Sequence, residues 1–218
     1  FPGVPKNTYV SCLTASVKSP DVVFAAFDNH KQGDFKPYLL KSTDRGRTWT
    51  SIARTLPARD VVYSVLQDHE NPELLFAGTE FGVYCSLDVG KQWIRLRGGL
   101  PTIAVRDMAI QRRESDLVLG TFGRGFYVLD DYAPLRTASR ALLEEPAVLF
   151  RVKTALQYVE RSRLGGRDGR GSQGASYYTA PNPLFGAVFT YHLGEKIRSL
   201  KEERRRREKE ARKKNTDA

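Results

Sequence analysis

One eight-residue pattern occurs twice and limits which folds are open to this sequence. It reads S-x-D-x-G-x-x-W, first at Ser42-Thr-Asp44-Arg-Gly46-Arg-Thr-Trp49 and again at Ser86-Leu-Asp88-Val-Gly90-Lys-Gln-Trp93. A spacing of 44 residues separates Asp44 from Asp88 and Trp49 from Trp93. Self-similarity at such a period points to a propeller or another repeat array. Each copy stands between two short apolar runs, so each reads as a turn joining two strands.

The chemistry of the turn follows from its residue types. Ser and Asp side chains bond to nearby backbone and fix a tight bend. Gly46 and Gly90 take a positive φ without penalty. Trp49 and Trp93 open the outgoing strands, with rings that pack back over the bend. Asp44 and Asp88 are read as turn staples rather than catalytic carboxylates. A residue repeated in every blade faces a new direction each time and cannot converge on one site.

Around these turns the sequence spells out a repeated four-strand unit. Strands are expected at Tyr9–Ser16, Val22–Phe27, Tyr38–Ser42 and Trp49–Ala53. A second set is expected at Val61–Leu66, Leu74–Gly78, Gly82–Ser86 and Trp93–Leu96. Ser19-Pro-Asp21 and Asn71-Pro-Glu73 are matching turns. A third unit starts at Met108 and continues through Leu117–Thr121 and Gly125–Leu129. Its fourth strand is missing, because Asp130-Asp-Tyr-Ala-Pro134 stands where the repeated turn is due. The expected class is all-β: a partial β-propeller of two full four-stranded blades and a partial closing blade over residues 1–136. Three units cannot close a ring of roughly four to eight blades. Together with an opening Phe1-Pro-Gly-Val-Pro5 that lacks Met, this reads as the last part of a larger propeller. The alternative is closure by self-assembly.

Beyond the blades, residues 137–181 read as a connector, with Val148–Phe150 as a short strand and a Gly/Arg/Ser-rich linker over Ser162–Gly174. Asn182–Leu193 reads as one strand, within a segment 182–194. Residues 195–218 read as a charged helical tail. Its pairs Glu202/Arg206, Glu203/Arg207, Glu208/Arg212 and Glu210/Lys214 each add a few tenths of a kcal/mol.

The protein has 218 residues and a net charge of +10. Residues 1–150 carry +1 of that, Arg151–Gly171 +4 and Glu195–Ala218 +5. The blades are therefore nearly neutral. The tail's glutamates and its lack of interleaved aromatics argue against nucleic acid as a partner. No apolar run approaches the roughly 18 residues of a membrane span. Cys12 and Cys85 fall in different blades and read as two buried free thiols, with a disulfide as the other possibility. No Cys/His spacing suggests a metal, and no cofactor is expected.

The repeated turn matches the Asp-box, or BNR repeat, of sialidase-like and sortilin-like propellers. The resemblance extends to Val4-Pro-Lys-Asn-Thr-Tyr-Val-Ser11, Asp28-Asn-His30, Pro37-Tyr38, Leu75-Phe-Ala-Gly-Thr-Glu80, Gly120-Thr-Phe-Gly-Arg-Gly125 and Leu129-Asp-Asp-Tyr-Ala-Pro-Leu135. In these segments the sequence resembles the C-terminal blades of large bacterial BNR-repeat glycosyl hydrolase-like, sortilin N-terminal-domain-like proteins. It departs from them at Phe122, where they usually carry His. The resemblance implies a secreted or periplasmic protein, and it implies that residues 182–194 open an immunoglobulin-like sandwich.

Three groups escape the repeat and are candidates for chemistry. Asp28, His30 and Asp34 share a loop and could serve acid–base work, hold a cation or form Asx turns. Asp68, His69, Glu70 and Glu80 form the second group. Arg124, flanked by Gly123 and Gly125, could approach an anion or pair with Asp130 or Asp131. Glycoside hydrolysis needs two carboxyl groups roughly 5–9.5 Å apart, and Asp28, Glu80 and Asp131 are the candidates. His30 and Arg124 are the candidate ligand-binding residues. No nucleophile elbow or triad is present. Two functions stand: a propeller scaffold that binds protein, peptide or glycan, with further blades as its partners, or part of a glycoside hydrolase whose carboxylates are shared with those blades.

Overall fold

The computed structural model describes residues 1–155, 157, 185–195 and 197–216. The protein divides into two compact units, Phe1–Ser139 and Arg140–Ala218. The first is a partial β-propeller built of three successive antiparallel meanders.

The first blade has strands β1 (Tyr9–Ala15), β2 (Val23–Asp28), β3 (Tyr38–Ser42) and β4 (Thr50–Ser51), in that spatial order. The second repeats it with β5 (Val62–Gln67), β6 (Leu75–Thr79), β7 (Gly82–Ser86) and β8 (Ile94–Leu96). The third has β9 (Val105–Gln111), β10 (Asp116–Thr121) and β11 (Phe126–Leu129). Two outer strands are shorter than expected, since Trp49 and Trp93 precede the ladder instead of opening it. The third blade starts three residues earlier than Met108, because Val105 pairs with Thr121 across a bulge.

Each first strand carries that bulge at the same place. The register slips between Val10 and Cys12, between Val62 and Ser64, and between Val105 and Asp107. Ser11, Tyr63 and Arg106 are the three bulged residues. The bulges align the blades position by position, and packing follows the alignment. Val62 and Val105 are 0% exposed, each against the preceding blade, whereas the matching Val10 is 43% exposed. On the opposite face Leu39 and Val83 are buried, whereas the matching Phe126 is 79% exposed. Blade 3 thus presents an open apolar face, and blade 1 is open at Val10 and Leu13, whereas Ala25, Phe27 and Leu40 on the same face are buried with Phe1, Val4 and Trp49 against them.

The core between blades is continuous. Phe24, Ala26 and Leu39 of the first blade pack with Val62, Val65, Ala77 and Trp93 of the second. Phe76 and Val83 of the second pack with Val105, Met108 and Leu119 of the third. Cys12 and Cys85 are free thiols, and burial pushes Cys85 up to about 12.

Where the third blade lacks an outer strand, a short helix α1 (Pro134–Thr137) turns back onto the second blade. Tyr132 packs edge-on against Phe76, with ring centroids 5.2 Å apart, and its hydroxyl donates to the fully buried Asp68. Arg136 donates from Nε to Asp68 Oδ2 at 3.0 Å and from Nη1 to Ser115 Oγ at 3.1 Å. Asn71 Nδ2 donates to the Arg136 carbonyl at 2.8 Å. Burial pushes the Asp68 carboxyl up. The Arg136 guanidinium, the Asn71 and Glu70 N–H groups and the Tyr132 hydroxyl outweigh it and leave the pKa below the ordinary value.

In the second unit, α2 (Arg140–Leu143) precedes a two-stranded antiparallel ladder of β12 (Ala147–Leu149) and β13 (Tyr191–Leu193). The expected strand over Asn182–Leu193 is reduced to β13 among the described residues. Gly186 at φ +106° interrupts extension, and β12 offers only three residues to pair with. Residues 182–184 and the whole linker over Ser162–Gly174 lie outside the described residues. The tail helix α3 (Leu200–Thr216) starts later than expected because Ser199 caps it. Ser199 N–H donates to Glu202 Oε2 at 3.0 Å, and Glu202 N–H donates to Ser199 Oγ at 3.3 Å, a reciprocal capping box. Arg204 pairs with Glu208 and Arg206 with Glu210, in the opposite order to the pairs read from sequence. No helix among the described residues is long and apolar enough to cross a membrane.

Two outcomes follow for stability. Gly46 and Gly90 share φ +84°, but a Cβ on Gly90 would stand 2.8 Å from Ile52 Cβ, whereas one on Gly46 meets only Trp49 at 3.4 Å. The backbone cost of Gly→Ala cancels between the sites. In urea melts Gly90→Ala should therefore lose about 1–3 kcal/mol more than Gly46→Ala; equal losses would deny that the second turn docks on the first blade. For Asp68, the lowered pKa gives stability that is present above the unfolded value of about 4 and is lost as pH falls through the folded value. Asp68→Asn should cost about 3 kcal/mol near neutral pH, where breaking a buried ion pair is expensive. It should also flatten the acid limb of a Tm-versus-pH curve, and an unchanged limb would remove Asp68 from the acid response.

Candidate functional site

The two repeated turns use their polar atoms internally. Ser42 Oγ donates to Asp44 Oδ1 at 2.8 Å and accepts from Gly46 N–H at 2.8 Å. Asp44 Oδ1 also accepts from Thr48 N–H at 2.8 Å and Oδ2 from the Thr48 hydroxyl at 2.6 Å. The Thr48 hydroxyl, then its N–H, then Ser42 hold the Asp44 carboxyl at about 2. Ser86, Asp88, Gly90 and Gln92 repeat the scheme without the threonine hydroxyl. Arg45 and Val89 also adopt positive φ, at 62° and 59°, so each bend has two consecutive left-handed residues.

The tryptophans diverge. Trp49 Nε1 donates to Gly46 O at 2.9 Å within its own turn. Trp93 Nε1 donates to Ile52 O at 2.7 Å, and its N–H donates to Thr55 Oγ1 at 2.8 Å, both in the first blade. The second turn is a joint between blades as well as a bend.

A cleft of about 240 Å³ lies where the three blades meet, lined by residues that include His30, Arg59, Tyr63, Glu80, Phe81 and Arg106. Two of the bulged residues, Tyr63 and Arg106, are among them. A bulge re-aims a side chain relative to the pleat, and here it directs both into the cleft. The Tyr63 hydroxyl donates to Glu80, while burial and that carboxylate push the phenol's pKa up. The Arg106 guanidinium lies 3.7 Å from the centroid of the Tyr63 ring and 5.4 Å from that of Phe122, with Nη2 4.0 Å from Glu80. Arg59 lies over Phe35 at 5.6 Å. Asp60, buried just behind, accepts from Phe81 N–H at 3.2 Å and from the Tyr84 hydroxyl at 3.0 Å, which steadies the cleft's rim.

Of the residues singled out from sequence, the cleft gathers His30 and Glu80. Asp28 stands behind His30 and accepts at 2.6 Å from its Nδ1, which fixes the ring. Asp34 accepts from the Tyr38 hydroxyl at 2.6 Å and from Asn29 and Lys36, and so shapes the loop. Arg124 is exposed and does not line the cleft. Asp131 does not line it either; it sits in the closing turn at φ 44°, its N–H donating to Asp116 Oδ1 at 3.0 Å. Asp68, His69 and Glu70 belong to the Arg136 clasp, away from the cleft lining. Sequence reasoning missed Arg59, Tyr63 and Arg106. For Tyr63 and Arg106 the available signal was the position that follows the valine shared by the first strands, Val10, Val62 and Val105, where Ser11, Tyr63 and Arg106 differ. Among the described residues, no group of three His, Cys, Asp or Glu side chains could hold a metal ion.

No protein-family model matches the sequence, and no curated protein matches it. Among solved structures it is similar to a GH74 xyloglucanase from Xanthomonas campestris, at 19% identity and a TM-score of 0.39 over 50% of this chain and 18% of that one. An ancestral GH74 enzyme matches at 19% identity and a TM-score of 0.44, over 57% and 19% of the two chains. YCF48 bound to D1 peptide matches at 14% identity and a TM-score of 0.43, over 59% and 38%. The protein spans well under half the length of each.

Proposed function

We propose that these blades form part of a secreted or periplasmic, Asp-box-type propeller scaffold. It binds a protein, peptide or glycan in the cleft between the blades and performs no catalysis there. One observation carries the reading: the carboxylates at and behind the cleft are already tied to neighbouring groups. Glu80 is engaged by Tyr63 and Arg106, and Asp28 by His30. Such mutual bonding preorganises a binding surface and leaves neither carboxylate free for acid or nucleophile work. The alternative, a glycoside hydrolase, draws on Glu80 lining the cleft with the Asp28–His30 pair beside it. Assays of the intact polypeptide on glycosides separate the two. The scaffold reading expects no turnover above that of Asp28→Asn and Glu80→Gln. Turnover that drops in either variant with its melt unchanged would support the hydrolase.

The partners proposed for the open faces of the first and third blades are further blades of the same propeller. Val10 and Phe126 then occupy positions that are buried in the other blades. In the intact polypeptide, Phe126→Asp and Val10→Asp should each destabilise by about 2–4 kcal/mol, as polar substitutions in a core do. Losses within about 0.5 kcal/mol, typical of a free surface, would show the faces to be uncovered.

A further inference from the structure

The cleft has more cationic donors than its own acceptors consume. Arg59 lies against Phe35, and among the described residues it has no ion pair. Arg106 lies against the rings of Tyr63 and Phe122 and approaches Glu80 only to 4.0 Å. Asp28 holds His30 through Nδ1, which leaves Nε2 without a hydrogen-bond partner among the described residues. Two guanidinium groups thus face one lining carboxylate. Packing against rings holds both groups in place without using their N–H donors. Next to them stand the apolar Val61 and the half-exposed rings of Phe35 and Phe81.

Size narrows the ligand. At about 240 Å³ the cleft is below the roughly 300–1,000 Å³ of sites that enclose a drug-sized molecule. The space lined by these blades suits one residue's end, an anion with a single apolar group. Sugar hydroxyls also call for free acceptors, and Glu80 is already shared between Tyr63 and Arg106.

We propose that the cleft binds a peptide carboxylate between Arg59 and Arg106, with the neighbouring apolar side group against Phe35 and Phe81. The proposal rests on the reading of this cleft as the ligand site. The carboxylate comes from a peptide's C-terminus or from an acidic residue, and both present the planar pair of oxygens that an arginine fork matches.

The test is an NMR titration of the intact polypeptide that follows the Arg59 and Arg106 side-chain Nε–H signals. Three probes are used: N-acetyl-Gly-Gly-Phe with a free carboxylate, its carboxamide, and N-acetyl-Gly-Glu-Phe carboxamide. Saturable shifts with the first and not the second assign a C-terminal carboxylate. Shifts with the third assign an acidic residue, and either result supports the proposal. Arg59→Gln and Arg106→Gln should each raise the Kd about tenfold or more, the scale of a charge-assisted hydrogen bond. Equal affinity for the acid and its amide, or a Kd unmoved in both variants, would overturn it. Neutral cellopentaose separates the ligand site from the ligand's identity. If it alone shifts the signals, the cleft remains a ligand site and the carboxylate assignment falls. If no probe shifts them, both fall.

Discussion

Everything in the first unit depends on apolar faces meeting between consecutive blades. A single meander of short strands buries too little to stand alone. The second blade is covered on both sides, and its inner strands β5, β6 and β7 are almost wholly buried. The repeated bulge keeps the faces in step, because a slip of one residue would turn Val62 or Val105 out of the interface. The same bulge sends Tyr63 and Arg106 toward the cleft. Packing and site geometry therefore share one cause.

Much of this was legible in the sequence, for a physical reason. The Ser-Asp-Gly turn is a local device whose bonds run within five residues, so its residue types disclose it. The meander order, the missing fourth strand of the third blade and the turn geometry at Gly46 and Gly90 all follow from local chemistry. Trp93 shows the limit. Its motif is the same as that of Trp49, yet its ring N–H crosses to Ile52 in the neighbouring blade. Likewise, nothing near Asp130-Asp131 announced that Arg136 would reach back to Asp68 in place of an outer strand.

The site was only half legible. His30 and Glu80 stood out as unrepeated polar residues, and the fold brings both to the cleft. Arg124 stood out for its glycine neighbours, but the loop tip that frees it also carries it away from the cleft lining. Arg59 and Arg106 looked like ordinary charges, because their meaning comes from rings contributed by other segments. Phe35 belongs to the first blade's loop, Tyr63 to the second blade and Phe122 to the third. Such convergence is a property of the assembled blades and leaves no mark at a fixed sequence spacing.

The most direct test of the packing account is a double-mutant cycle across the first interface, with Phe24→Ala and Val65→Ala measured alone and together by urea unfolding. Both residues lie in the cluster shared by blades one and two. Packing in the described register predicts a coupling of about 0.5 kcal/mol or more. Additivity within about 0.3 kcal/mol would contradict it, since the two side chains would then be stabilised by separate cores.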